Sequence, residues 1–434
     1  MRVDGISESA STKVVRTPLT RGQRRGFWAA WSGWTLDGMD AFIYALVLSP
    51  ALTELLPKSG LSGAPADVAF CGSVLFALFL VGWGLAFVWG PVADRFGRTR
   101  TLAASVLVYS VFTGAAALAE NVWQLGAFRL LAGIGIGGEW ALAGTYVAEA
   151  WPEDRRKMGA GYLQTGYYTG FFIAAALNFT VGAHFGWRAM FLCGLAPVIL
   201  SFYIVFKVKE PERWQQAVAA VERISPLRAI FSGPYRRRTV VNAALLTVSI
   251  VGLWAGTVYE PTAIITLAKQ SGMDQLHAAR MASMGTALLS VGTILGCLVA
   301  PVLCEKFGRR ASLATFFAGM AVCVWSSFGW AFYLPNGLAT FITLLFFLGF
   351  FGGNFAIYSL WLPEQYGTAV RATAFAFTTS FGRLIGAGVN FLLGWAIQQH
   401  GSLGLPVACT ALAFVLGLAI VPFAAETKGE RLPA

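Results

Sequence analysis

Apolar stretches of about the bilayer-spanning length, ~20 residues, recur along the chain from Phe27 onward, separated by short polar connectors. They fall at roughly 27–49, 68–92, 101–119, 122–148, 159–183, 187–206, 239–268, 278–304, 311–333, 338–361, 373–398 and 402–423. Each is apolar on every side and longer than the ~10-residue alternating segments of a membrane barrel. Helices that satisfy their own backbone hydrogen bonds are therefore the structure they predict. The pattern predicts an all-α membrane protein of twelve transmembrane helices. No connector is long enough for a soluble domain, and the longest interruption lies between helices six and seven. The expected organisation is a polar tail over 1–26, a six-helix bundle over 27–206, a linker over 207–238, a second bundle over 239–423 and a tail over 424–434. Within the linker, residues 210–224 read as an amphipathic helix lying on the membrane surface.

Composition agrees. Hydrophobic residues make up 56% of the chain and charged residues 12%, with a mean hydropathy of +0.64. Soluble domains carry roughly 25% charged residues, so a soluble enzyme, a disordered chain and a disulfide-stapled secreted domain are excluded. Residues 1–26 hold no short apolar core followed by a small-residue cleavage site, so a removed signal peptide is not expected. The net charge of +11 raises the question of nucleic acid, and the placement of the charges answers it. With a cytoplasmic N-terminus, 26 of the 32 Lys and Arg residues fall on the inner side. Only Lys58, Arg188, Lys269 and Arg280 fall outside, and Arg129 and Arg383 lie within helices. By the positive-inside rule both termini are cytoplasmic. The expectation is a multi-pass protein of the inner (plasma) membrane with the lipid bilayer, not nucleic acid, as its partner.

The six cysteines show no paired spacing and read as small buried hydrophobes. No nucleophile–base arrangement, phosphate loop or metal-ligand cluster stands out, so neither an enzyme nor a cofactor or metal is expected.

The two halves echo one another. Gly90-Pro-Val-Ala-Asp94-Arg95-Phe-Gly97-Arg98 recurs, 211 residues later, around Glu305, Arg309 and Arg310. Glu149 and Arg156 recur at an offset of 215 as Glu364 and Arg371, and Gly137-Gly138-Glu139-Trp140 recurs as Gly352-Gly353-Asn354-Phe355. Two bundles in parallel repeat are an architecture of secondary transporters, which bind substrate near the midplane between halves.

On these motifs the chain resembles the major facilitator superfamily over its whole length. Gly90 to Arg98 is similar to the family's cytoplasmic signature, with Val92 where leucine is usual. Arg129-Leu-Leu-Ala-Gly133-Ile-Gly135-Ile-Gly137 is similar to its helix-four pattern. Asp37 and Asp40 in Gly33-Trp34-Thr-Leu-Asp37-Gly38-Met-Asp40, together with Gly137 to Trp140, resemble the proton symporters of sialate, monocarboxylates and aromatic acids. The resemblance implies alternating access by two bundles, and a helix-one aspartate paired with the helix-four arginine for proton coupling.

Ionisable groups inside a spanning helix are costly and read first as functional. Asp37 and Asp40 share a face at i,i+3 near the midplane. They cannot both be charged cheaply in low dielectric, which is what a proton-coupling site needs. The expected coupling set is Asp37 or Asp40 with Arg129 and Glu139. A packing ion pair without protonation is the alternative, as is a direct pairing of Glu139 with Arg129. Arg383, in the opposite half, is a fixed cation suited to a carboxylate, unless it only balances a helix-one aspartate. Asn390, Asn354, Tyr44, Gln164, Trp254 and Tyr259 are further substrate-binding candidates, with Tyr168 and Trp361 as aromatic candidates beside them. Asp94, Arg95, Arg98, Glu149 and Arg156 are placed to form gating ion pairs in the first half, and Glu305, Arg309, Glu364 and Arg371 in the second, each worth only ~0–1 kcal/mol if exposed. Glu260, just before Pro261, reads as a solvated or gating carboxylate near the outer end of helix seven.

The expected function is proton-coupled symport of a small organic anion by a monomer. A sugar or polyol symporter, a drug-efflux antiporter and a non-transporting metabolite receptor are the alternatives.

Overall fold

The computed structural model describes residues 17–63, 65–220 and 225–433; residues 1–16 of the tail and 221–224 of the linker lie outside it. Among the described residues every regular element is helical. The first half contains α1 (Arg21–Lys58), α2 (Pro65–Leu85), α3 (Trp89–Phe96), α4 (Arg98–Ala116), α5 (Val122–Ala150), α6 (Arg156–Leu177), α7 (Ala183–Cys193) and α8 (Pro197–Lys207). In the linker lie α9 (Glu212–Ala220) and α10 (Pro226–Ala229). The second half contains α11 (Tyr235–Val258), α12 (Glu260–Gln270), α13 (Gln275–Phe307), α14 (Arg309–Val324), α15 (Leu338–Gly352), α16 (Phe355–Glu364), α17 (Arg371–His400), α18 (Gly404–Cys409) and α19 (Ala411–Ile420).

Among the described residues, eight helical stretches are long and apolar enough to cross a bilayer, from Val74–Phe96 to Gly404–Phe423, and α1 adds a ninth if its bent parts count as one span. α4, α6 and α11 are helical where the sequence predicts spans, but their Arg, Ser, Thr, Tyr and Gly residues lower their hydropathy. Local chemistry sets the ends. Thr20 opens α1 with a reciprocal cap: its hydroxyl accepts from the Gln23 N–H, and the Gln23 side chain accepts from the Thr20 N–H. Pro50, which cannot donate to the helix ladder, lies at a 61° bend in α1. Gly97 and Gly308 start α4 and α14 with φ of 112° and 91°, a backbone open to glycine.

Packing repeats half for half. α1 packs on α6 as α11 packs on α17; α2 on α5 as α13 on α15; α4 on α5 as α14 on α15; and α4 on α8 as α14 on α19. The most extensive contacts between the halves are a related pair, α2 with α17 and α6 with α13, and α3, α5 and α16 add to them. Apolar side chains cover the outside, Ile199 and Phe206 being about three-quarters exposed, and so much exposed apolar surface suits lipid rather than water. The cysteines depart from expectation: Cys297, Cys304 and Cys323 are buried, Cys71 and Cys193 only partly, and Cys409 is exposed. A small apolar side chain faces lipid at no more cost than it faces a core.

Candidate functional site

Three groups of side chains carry the chemistry, and the first lies inside the N-terminal half. Asp37, Asp40, Arg129 and Glu139 are fully buried. Arg129 Nη1 sits 3.8 Å from Asp40 Oδ2, and its Nη2 donates to Thr113 Oγ1 at 3.0 Å. The rings of Tyr44 and Phe191 flank the guanidinium at 5.2 and 5.0 Å. The arginine thus pairs with Asp40 rather than Asp37, and Tyr44 belongs to its surroundings. Glu139 does not pair with Arg129, because ten residues along α5 separate them by ~15 Å. Instead Glu139 lies against α1 at Gly33, where a Cβ would run into its carboxylate. Neither Asp37 nor Glu139 makes a hydrogen bond among the described residues. Glu139, Asp40, Tyr109 and Arg383 all lie close enough to Asp37 to act on it.

The second group surrounds a narrow cavity of about 30 Å³ between the halves. Trp34, Trp83, Trp140, Tyr167, Tyr168 and Phe355 form aromatic walls, with Gln164, Ile250, Leu253 and Arg383 between them. The Arg383 guanidinium stacks 4.3 Å over the Trp83 ring and 5.6 Å from that of Trp140. Its Nε and Nη1 make no hydrogen bond among the described residues. Trp34 and Trp140 lie nearly parallel, 15° apart with centroids at 6.0 Å. The Trp140 indole N–H donates to Ser359 Oγ in the other half at 2.8 Å, and the same hydroxyl donates to Gln164 Oε1 at 3.4 Å. A ring carboxylate suits these walls chemically: flat apolar faces for the ring and unspent guanidinium N–H groups for the charge. A cavity so small admits one only when its walls move.

Arg383, Gln164 and Tyr168 therefore reach the cavity, and Asn390, Asn354, Tyr44, Tyr259 and Trp361 are not among its described lining residues. Asn390 spends its amide on the Gly386 carbonyl at 3.0 Å, and Asn354 on the Phe351 carbonyl at 3.0 Å. Tyr259 occupies the break between α11 and α12, and the Trp254 side chain lies outside the described residues. Trp361 donates to the Ala425 carbonyl, far from the cavity. Glu260 departs from the expected solvated position: it is 2% exposed, because α12 continues the helix beyond it.

The third group closes one end of the molecule with two related ion-pair sets. Glu149 accepts from Arg98 of its own half at 3.1–3.2 Å and from Arg371 of the other at 2.7 Å. Glu364 accepts from Arg309 of its own half at 2.8 Å and from Arg156 of the other at 3.0 Å. Asp94 accepts from Arg98 Nη1 at 2.6 Å and from the Thr373 N–H across the interface at 2.9 Å. Glu305 accepts from Arg309 at 3.0 Å and from Lys157 at 2.8 Å. Arg95 stays outside the network, exposed beside the Phe96 ring. The Arg98–Glu149, Arg371–Glu149 and Arg309–Glu364 pairs are fully buried, so the exposed-pair value expected from sequence does not apply. Removing one partner of a buried pair costs ~3–5 kcal/mol.

Sequence reasoning missed several of these groups. Glu210 accepts from the Arg98, Thr99 and Arg100 N–H groups at 2.7, 3.0 and 3.2 Å, capping α4. Glu426 does the same for Arg309 and Arg310 at the start of α14, at 3.0 and 3.1 Å. Both fall under the internal repeat, which is the signal that finds them. Glu153 binds Arg156, Arg213 and the Leu432 N–H. Burial raises its carboxyl, but these partners outweigh it and hold the group below the ordinary carboxylate range.

Two like helical halves, joined across a buried charged cavity and closed at one end by ion pairs, define a multi-helix membrane transporter fold. The chain belongs to the Major Facilitator Superfamily, which it matches over residues 30–390. It is 30% identical to the probable 4-methylmuconolactone transporter of Cupriavidus pinatubonensis, over 94% of this chain and 91% of that one. It is 26% identical to the niacin transporter NiaP of Acinetobacter baylyi, over 97% and 98%. Among solved structures, the proton:xylose symporter XylE shares its fold with a TM-score of 0.79 at 21% identity, covering 95% of this chain and 98% of that one.

Proposed function

We propose that this chain is a proton-coupled symporter of a small organic anion, specifically a ring-bearing carboxylate. It has twelve spans in two six-helix bundles, both termini in the cytoplasm of a bacterial cell, and works as a monomer in the inner membrane. The observation that carries this reading is Arg383: buried on two indoles, with two atoms unspent, and within electrostatic reach of Asp37. Substrate carboxylate on Arg383 and a proton on the cluster of Asp37, Asp40 and Glu139 are then linked through shared electrostatics. Charge on either side alters the cost of charge on the other. Arg129 supports the ionised form of Asp40, and a proton on Asp40 frees Arg129 to shift α5 against α1. The ion pairs around Glu149 and Glu364 hold the cytoplasmic side shut and break when that side opens. The names of the relatives, a methylmuconolactone and a niacin transporter, support an organic acid. A sugar would ask for several amides around the cavity, and Gln164 is the one amide among its described lining residues.

Asp37→Asn and Asp40→Asn test the coupling. In proteoliposomes with an imposed pH gradient, nicotinate accumulation should be lost in both, while exchange of labelled for unlabelled nicotinate persists. Normal accumulation in both variants would sink the proton assignment.

A further inference from the structure

Glu260 plays no part in the machinery above, yet its setting is built for a carboxyl group. α12 starts at Glu260 with Pro261 in its first turn, immediately after the break at Tyr259. The eleven residues of α12 place Glu260 ~16 Å from the helix's far end, about half the ~30 Å hydrocarbon thickness. The carboxyl is seated against α13 beside Gly285, where a Cβ would stand 3.1 Å from Oε1 and collide with Ile264.

Its hydrogen-bond partners can be satisfied by a neutral carboxyl. The Thr286 hydroxyl is the only donor to Glu260 among the described residues, 3.1 Å from Oε1 and 3.3 Å from Oε2. The same hydroxyl also lies 3.1 Å from the Ala282 carbonyl. A hydroxyl has one hydrogen and two lone pairs. If that hydrogen goes to Ala282, Glu260 must itself donate to Thr286 Oγ1, which the neutral acid alone can do.

No charge nearby offsets ionisation. On α12, Lys269 is exposed at the far end; on α13, His277 and Arg280 are exposed at one end, with Glu305 and Lys306 at the other. α15 has no ionisable side chain. On α11, Tyr235, Arg236, Arg237 and Arg238 lie at the opposite end from the break. The neighbouring residues 254–258, 275, 276 and 279 are not ionisable either.

We propose that Glu260 is a second proton-binding site, neutral while α12 is seated on α13 and releasing its proton to water when α12 swings away. Its part in transport rests on the proton-coupled reading above; the binding of the proton does not. The test is infrared difference spectroscopy of the full chain in lipid through a pH titration. Glu260→Gln should remove one protonated-carboxyl band that Asp37→Asn retains, and Thr286→Val should shift the same band by removing its acceptor. If Glu260→Gln fails to fold, the Thr286→Val shift decides. Protonated-carboxyl bands unchanged in both variants would overturn the proposal. In proteoliposomes, the ratio of protons to nicotinate should fall by one in Glu260→Gln. A lost band with an unchanged ratio would overturn the transport role. A wild-type chain that never couples nicotinate to protons, yet loses the band in Glu260→Gln, would overturn the symport reading and leave the proton site standing.

Discussion

Arg383 holds its guanidinium over the Trp83 ring and near that of Trp140, and lysine has neither a planar group to stack nor two parallel N–H groups to present. Arg383→Lys should weaken nicotinate binding about 10–100-fold, as charged hydrogen bonds of ~1.5–3 kcal/mol imply; binding calorimetry measures it. At Gly33 the atom in the way of a Cβ is the tip of a flexible side chain, Glu139. Gly33→Ala should therefore displace Glu139 rather than unfold the protein. The expected outcome is impaired pH-driven uptake with a nearly unchanged melting temperature. Asp37, Asp40, Arg129, Glu139 and Arg383, all buried, were legible because no other charged residue shares their stretches. The walls were not. Trp34, Trp83, Trp140 and Tyr167 stand among 15 Trp, 12 Tyr and 34 Phe, and only helix packing separates a cavity wall from a lipid-facing ring. For the same reason sequence left Asp37 and Asp40 equal as partners of Arg129.

At the scale of elements, the repeat was the strongest signal. It made Glu149 equivalent to Glu364 and Arg156 to Arg371 and predicted a network inside each half, whereas Glu149 pairs with Arg371 and Glu364 with Arg156 across the halves. It did not show that these pairs are buried. Glu149→Gln leaves two buried guanidiniums facing a neutral amide, a loss of ~3–5 kcal/mol, and should shift the population toward the open gate. Distances between spin labels on α4 and α17 would lengthen; an unchanged distribution would count against the gate. Glu153 gives the pH dependence at this end. Its carboxyl is held below the ordinary range, so its contribution is intact above the unfolded value of ~4.3. It is lost only as pH falls through the lower folded value. The protection of the Leu432 amide, once exchange is corrected for its intrinsic pH dependence, should stay constant from neutral pH into that range and fall below it. Helix breaks were the least legible elements. The predicted span 239–268 runs unbroken through Tyr259-Glu260-Pro261, yet α11 ends at Val258 and α12 starts afresh at Glu260, where Pro is tolerated in a first turn.

Across the whole molecule, two halves with matching internal packing touch most extensively through α2 with α17 and α6 with α13. The charged cavity lies between them, and ion pairs seal one end. That geometry permits the halves to rock about the cavity, breaking one set of contacts as the other closes, and it places the proposed proton cluster and the proposed anion site within electrostatic reach. The most direct test of their linkage is whether substrate moves protons. Proteoliposomes loaded with a pH dye, at equal pH inside and out, would receive an inward nicotinate gradient. Wild-type vesicles should acidify faster than both protein-free vesicles and vesicles carrying Arg383→Lys, and Asp37→Asn should remove the excess. Acidification at the protein-free rate in wild-type vesicles that still take up nicotinate would contradict proton-coupled symport.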